Sequence, residues 1–301
     1  MRVLVVMDGP ARIHPETDTT VVIIDEARRR GHAVDTCQPD ALELDGDDVL
    51  VRAGSDGGAA TSLGEFAAVL MRKDPPFDLD YYFATLLLER ARGRTLVVND
   101  PRGLREANEK LYIFNFPSLI APTRVTRSLA GLKRALADFG GQMIVKPLDG
   151  CGGSGVFHVR TDDRNTNSIL ETVTCDGTRL VMAQRYLPEA REGDKRILLL
   201  DGEPIGAVLR VPRADETRGN LHVGGTATKT TLTPRDLEIC STLAPRLRAD
   251  GLYLVGIDVI GGWLTEVNVT SPTGVQEIDR LEGARLEARI VDWLERRVAA
   301  R

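Results

Sequence analysis

The chain has 301 residues, 42% of them hydrophobic and 28% charged, with a formal net charge of −5. That is enough chain for two or three subdomains around a substantial core, in an ordinary globular composition. The acidic balance argues against nucleic acid, whose phosphates call for a basic face, and no apolar stretch approaches the 18 residues of a membrane span.

Four cysteines (Cys37, Cys151, Cys175 and Cys240) show no CxxC spacing and no accompanying His/Cys cluster. They argue against a zinc site and a disulfide framework, and for a reducing cytoplasmic setting.

In chain order, "RVLVVM" at 2–7 predicts a buried strand closed by a loop at Asp8-Gly9-Pro10. Its apolar run is too short for a signal-peptide core. Asp18 is placed to cap a helix through "TTVVIIDEARRR", and Gly31 to stop it. With "HAVDTC" as a second strand, this order begins an open α/β sheet. "LELDGDDVLVRA" predicts a hairpin around Asp45-Gly46, and "GSDGGAATS" at 54–62 a mobile loop. "AAVLMRK" and "TLVVN" read as further strands, separated by a helical pattern over 79–92. A first domain ends near Ala107.

Beyond it, "NEKLYIFNF" reads as helical, "TRVT" as a strand and "SLAGLKRALADF" as a helix. Two strands then flank "DGCGGSG". "LVMAQRYL" predicts another strand, and "DKRILLLDGEPIGAVLRV" a pair turning at Asp201-Gly202. A helix fits 234–249, strands fit "GLYLVGIDVI" and "WLTEVNV", and an amphipathic helix fits 285–299.

The loop in "IVKPLDGCGGSGVF" has its lysine before the glycines and a strand after them. A P-loop has the reverse order and opens a helix. Gly150, Gly152, Gly153, Ser154 and Gly155 nevertheless offer backbone amides at close approach, and Lys110 and Lys146 offer point charges for phosphate oxygens; taken singly, the lysines also read as ordinary surface residues and the glycines as a tight turn.

Glu266 and Asn268 stand two apart on a predicted strand, so they share a face. A carboxylate beside an amide oxygen suits Mg²⁺. Asp258 joins them only if the Gly261-Gly262 turn is bulged or three residues long. Spacing alone leaves open that all three are solvated residues of an edge hairpin. Arg196, Arg210 and Arg218 lie around the preceding hairpin and are candidates for bidentate carboxylate contacts.

Taken in order, "MRKDPPFD", "NEKL", "VKPLDGCGGSGVF", "AQRYLPEAREGDKRILLLDGEP", "ETRGN" and "VGIDVIGGWLTEVNVTSPTGVQEI" resemble the prokaryotic glutathione synthetases of the ATP-grasp superfamily. The resemblance covers nearly the whole chain. It implies an α/β ATP-grasp fold with an open α/β pre-ATP-grasp domain at 1–107. A subdomain at 108–186 would carry the glycine lid, and one at 187–301 the metal and substrate residues.

The implied reaction joins γ-glutamylcysteine to glycine with ATP and Mg²⁺, or Mn²⁺ in its place. Lys110, Lys146, the lid glycines and Asp194 would hold ATP, with backbone groups of Gln184, Arg185, Tyr186 and Leu187 reading adenine. Asp258, Glu266 and Asn268 would hold metal, and Arg210, Arg196 and Arg218 would serve the reacting groups. Asp18, Thr19, Arg72, Asn220, Gly225, Ser271, Pro272 and Thr273 would line the substrate site. The resemblance also implies a homo-oligomer, often a tetramer in the family.

The chain departs from the family at Thr226, where a basic residue is common, and in the 212–230 loop. Two other readings therefore stand beside the first: an ATP-grasp ligase with another donor or acceptor, and a non-catalytic ATP-binding regulator.

Overall fold

The computed structural model describes residues 1–52, 59–213, 219 and 224–301. The chain begins with β1 (Arg2–Val6), α1 (Thr19–Arg29), β2 (Ala33–Cys37), β3 (Leu42–Asp45), β4 (Asp48–Val51), β5 (Thr61–Ser62), β6 (Ala68–Met71), α2 (Leu79–Arg90), β7 (Leu96–Val98) and α3 (Pro101–Glu106). A 3₁₀ turn at Leu111–Asn115 leads to β8 (Thr123–Thr126), α4 (Leu129–Asp138), β9 (Gln142–Pro147), β10 (Phe157–Arg160), α5 (Thr166–Thr174) and β11 (Val181–Arg185). Then follow β12 (Asp194–Leu200), β13 (Glu203–Val211), β14 (Thr226–Lys229), α6 (Pro234–Ala249), β15 (Leu254–Ile260), β16 (Trp263–Asn268), α7 (Val275–Glu282) and α8 (Leu286–Ala299).

The first sheet is parallel, in the order β2-β1-β6-β7. Its alternation sorts side chains to two covered faces, as parallel sheets require. Val3 and Val5 pack with Ile23 and Ala27 of α1 and Ile290 and Leu294 of α8. Leu4 and Val6 pack with Tyr81 and Leu88 of α2 and Leu104 of α3. The Asp18 carboxylate accepts from Thr20 N at 2.7 Å and sets the start of α1.

The second sheet is antiparallel, β10-β9-β11-β8, and is covered by α4 and α5. The third runs β14-β13-β12-β15-β16. Its inward residues Ile197, Leu199, Val255 and Ile257 share one core with α6 and the first sheet. A small antiparallel sheet, β3-β4-β5, completes the set.

Several details differ from the sequence reading. Asp45 pairs with Asp48, so the first hairpin turns at Gly46-Asp47, with Gly46 at φ +57°. Residues 108–116 form only the short 3₁₀ turn. The helices α3, α5 and α7 were not expected. α5 is rich in Thr and Asn, and α7 follows Gly274 without a side-chain cap, so neither carries a strong start signal. Of the 54–62 loop, Thr61-Ser62 pairs with β4, while 53–58 lie outside the described residues. No helix among the described residues is long and apolar enough to cross a membrane.

Asn99, buried after β7, joins the first sheet to the third. Its Nδ2 donates to Leu254 O at 2.9 Å and Val269 O at 2.7 Å; its Oδ1 accepts from Tyr253 N at 2.7 Å and Leu254 N at 2.8 Å. Asn99→Ala strands these buried backbone groups and should cost about 3 kcal/mol, read by urea denaturation.

At the α7–α8 junction, Asp279 Oδ1 accepts from Leu286 N at 2.9 Å. Burial, with Glu287 beside it, pushes this carboxyl up to about 6. An acid raised on folding costs stability above that pH, and the cost fades as the pH falls toward the unfolded value. Asp279→Asn keeps the acceptor and removes the charge. Its melting temperature should exceed wild type at pH 8, and that advantage should vanish by pH 4.

Candidate active site

The cleft is built on the third sheet. Arg196 of β12 pairs with Asp258 of β15, and Asp258 pairs with Glu266 of β16. Asp194, two residues before Arg196, pairs with Arg210 of β13. Period-2 strands and direct cross-strand pairing put all five side chains on one face.

The turn at Gly261-Gly262 has two residues, and a register shift follows between Asp258 and Val259. Val259 pairs with Leu264, so Thr265 is the extra residue and Glu266 falls opposite Asp258. Without the bulge, Asp258 would face Thr265.

Charges alternate across this face. Arg196 holds Asp258 bidentately, at 2.6 Å from Nε and 3.1 Å from Nη2. Arg210 Nη2 lies 2.9 Å from the same carboxylate and 2.5 Å from Asp194 Oδ2. Asn268 Nδ2 reaches Asp258 Oδ2 at 3.4 Å. Burial works against ionisation of Asp258, but the two guanidinium groups overcome it and hold the carboxyl far below the usual range. Burial pushes Asp194 up to about 6, with Arg210 opposing. Among the described residues, Asp194 Oδ1 and Arg210 Nε are buried without a hydrogen-bond partner.

Two lysines approach from the other side. Lys110 Nζ lies 3.2 Å from Glu266 and donates to Gly150 O at 2.5 Å. Lys146, near the end of β9, lies 3.8 Å from Glu266 and donates to Thr265 O at 3.2 Å. Burial lowers the Lys146 pKa, and Glu266 partly offsets this.

The glycine loop joins β9 to β10, with Gly152, Gly153 and Gly155 at positive φ. A Cβ on Gly150 would lie 2.9 Å from Pro147 and 3.0 Å from Ser154 O. The loop can therefore fold onto its own base only with glycine there.

Between these walls lies a cleft of about 690 Å³. Its lining includes Asp18, Lys110, Lys146, Gly150, Gly152, Gly153, Ser154, Gln184, Arg185, Tyr186, Leu187, Asp194, Arg196, Arg210, Asp258, Glu266, Asn268, Ser271, Pro272 and Thr273. Gly155 sits at the lid base against Pro147. Thr19 and Arg72 are buried behind the lining. Thr19 Oγ1 accepts from Val275 N at 3.4 Å, and Arg72 donates to Thr20 Oγ1 and Pro272 O, both at 3.1 Å. Gly225 precedes β14, away from the lining, and Arg218 and Asn220 lie outside the described residues.

The sequence reading missed several groups. Glu109 Oε1 accepts from Val269 N, Thr270 N and Thr270 Oγ1 at 2.8–3.1 Å, and Glu109 O accepts from Val267 N at 3.0 Å. It fixes the strand end that carries Asn268 and the segment 270–273. Burial, then the nearby Glu266, raises its pKa. Its place beside Lys110 in "NEKL" was the only available signal. His158 stacks on Tyr186 with ring centroids 4.0 Å apart, and nothing in its sequence context marks it. Asp8, Arg12 and Asp74 line the far end, where Asp8 accepts from Arg12 at 3.1 Å and Asp74 N at 2.7 Å.

Among the described residues, no three His, Cys, Asp or Glu side chains are grouped to hold a metal. The convergent set is instead two carboxylates and one amide on a single sheet face. These are hard oxygen donors, beside an orphaned Asp194 oxygen, and they suit Mg²⁺ shared with phosphate rather than an all-protein cage.

Residues 1–105 match the model of the prokaryotic glutathione synthetase N-terminal domain, and 109–283 that of the prokaryotic glutathione synthetase ATP-grasp domain. A glutathione synthetase of Synechocystis sp. is 45% identical over 98% of this chain and 99% of its own. That of Gloeobacter violaceus is 47% identical over 98% and 96%. In fold, the chain resembles the D-cycloserine synthetase DcsG, with a TM-score of 0.74 at 16% identity, covering 98% of this chain and 99% of that one. It also resembles the ATP-grasp ligase PsnB in complex with a minimal precursor, Mg and ADP, with a TM-score of 0.66 at 15% identity, covering 99% and 98%. With both domains matched in order and the identity sustained along nearly the full length, the chain belongs to the prokaryotic glutathione synthetase family of ATP-grasp ligases.

Proposed function

We propose that this cleft ligates γ-glutamylcysteine to glycine through an acyl phosphate, giving glutathione, ADP and phosphate. The observation that carries the reading is the facing of Lys110 and Lys146 against the Asp258–Glu266 face beneath a glycine loop. Chain 1–107 is the substrate domain, 108–186 the lid-bearing subdomain and 187–301 the subdomain with the charged sheet. The protein acts in the cytoplasm as a homo-oligomer, a tetramer by family likeness.

Lys110 and Lys146 neutralise phosphate oxygens as point charges. The cysteinyl carboxylate attacks the γ-phosphorus and ADP leaves. Asp258, Glu266 and Asn268 would hold Mg²⁺, or Mn²⁺, which supplies charge neutralisation at the transferred phosphoryl group. Arg196 and Arg210 keep Asp258 ionised, so it stays an anionic ligand.

The amine then attacks the acyl carbon, phosphate leaves, and the nitrogen loses a proton. Arg210, with its unpaired Nε, is the group for the oxyanion. The lid, with Gly152, Gly153, Ser154 and Gly155, keeps water from the acyl phosphate. Backbone groups at Gln184–Leu187 receive adenine beside the His158–Tyr186 stack. Arg72 and Arg196 grip Pro272 O and Thr273 O, so Ser271-Pro272-Thr273 meets substrate as a fixed segment; Asp18 and Thr19 border it. Arg218, Asn220 and Gly225 would serve the acceptor substrate, as the family likeness implies.

A second reading, a ligase with another acceptor, is favoured by Thr226 at a position where the family commonly carries a basic residue. ADP release with γ-glutamylcysteine and a panel of amino acids separates the two. Glycine should give the tripeptide. Product with another amine alone would overturn the glutathione reading, and no stimulated ADP release would overturn the ligase. In the same assay Arg210→Lys, which keeps charge and loses the planar fork, should lower kcat about 100-fold.

Glu109→Ala frees Thr270 and the segment after it, so kcat/KM should fall roughly 100-fold through misplacement. Glu109→Gln, which retains an acceptor, should recover part of that loss. Wild-type kinetics in a folded Glu109→Ala protein would show that Glu109 does not position the site.

A further inference from the structure

Helix α2 is apolar on two sides. Tyr81, Ala84 and Leu88 enter the core. Leu79, Tyr82, Phe83 and Leu86 point outward, with Leu79 70% and Phe83 55% exposed. Their i, i+3, i+4, i+7 spacing forms one continuous stripe. A helix apolar all round is ordinarily buried on every side, and an exposed run of large side chains on one helix marks a contact surface.

We infer that this outer stripe of α2 is a two-fold contact with a second copy of the chain, the helices lying antiparallel. This deepens the homo-oligomer reading above by naming its surface. The charges at the two ends are the reason for choosing a second copy. Arg90 continues the stripe one turn beyond Leu86, by the same 3.6-residue period. Asp80 flanks its start, about 15 Å away along the axis. Arg90 is exposed, and among the described residues its ion-pair partner is Asp47, at 3.5 Å on an exposed turn. In an antiparallel pair each Arg90 comes to the Asp80 end of the other helix, and both pairings form at once. An apolar centre with opposite charges at its ends is self-complementary under a two-fold axis. The two helix dipoles also oppose favourably in that arrangement. A parallel pair would set like charges side by side.

The test is the mass of the full chain by light scattering at micromolar concentration, with ligase turnover and circular dichroism on the same samples. Phe83→Asp should halve the mass, from tetramer to dimer or dimer to monomer, with the fold and turnover retained. Leu86→Gln, a milder change, should do the same if Phe83→Asp fails to fold. Asp80→Arg or Arg90→Asp alone should weaken the assembly, and the two together should restore it. An unchanged mass in folded Phe83→Asp and Leu86→Gln proteins would overturn this surface while leaving the oligomer reading in place. A monomeric wild type would overturn both, and neither result bears on the ligase reaction.

Discussion

The site depends on one carboxylate held by two guanidinium groups. Asp258 sits under Arg196 and Arg210 in a buried position, where an unpaired charge is not tolerated. A buried ion pair is a poor source of stability, since desolvation offsets most of its Coulomb energy. This one has a different effect: it fixes a sign of charge at a chosen place. Neighbouring strands β13, β12, β15 and β16 contribute Arg210, Arg196, Asp258 and Glu266. Asp258 carries negative charge where a cation would bind, and the two guanidinium groups keep it ionised. Gly256 permits the arrangement, because a Cβ there would lie 2.9 Å from Pro272 and 3.2 Å from the Arg196 side chain.

The same face sets the chemistry of the opposite wall. Lys146 is buried in surroundings that disfavour its charge, and Glu266 is its nearby counter-ion. Lys110 shares that counter-ion and also holds the carbonyl of Gly150 at the lid base. A phosphate entering between the walls would compete with Glu266 for both lysines and free the carboxylate for a cation. The lid base is coupled to that exchange through Lys110. On the function proposed above, phosphate binding, metal capture and loop position would all run through these two side chains.

Much of this was legible in the sequence because it lies in local patterns. The short apolar and alternating runs marked the strands of the three larger sheets except β14, whose Thr-rich segment carries no such run, and Asp18 marked the start of α1. The pair Glu266/Asn268 could be put on one face from spacing alone. The place of Asp258 could not, because it turns on a bulge at Thr265 that no turn residue announces. The helices α5 and α7 lack side-chain caps, α5 is also rich in β-branched residues, and α7 is short, so neither start stands out in the sequence. Glu109 and Arg72 were illegible as positioning groups: their partners lie 160 to 200 residues away, and no local pattern records such a contact.

Those distant contacts explain why the segment after β16 can serve as a rigid edge of the cleft. Glu109 holds it from the start of the lid-bearing half, Arg72 from the first sheet, and Arg196 from within its own sheet. Asn99 fixes the neighbouring base of β15 and the carbonyl of Val269 to the first sheet. Three parts of the chain therefore meet on six residues, 268–273. A loop with so many independent anchors has little freedom to adjust, which suits a site where reacting atoms must be placed to within an ångström. The glycine loop has the opposite construction, with Gly152, Gly153 and Gly155 at positive φ and the Gly150 carbonyl held by Lys110 at its base. On the function proposed above, the fixed edge would orient the substrates while the loop moves over them, the two meeting through Lys110 and Glu266.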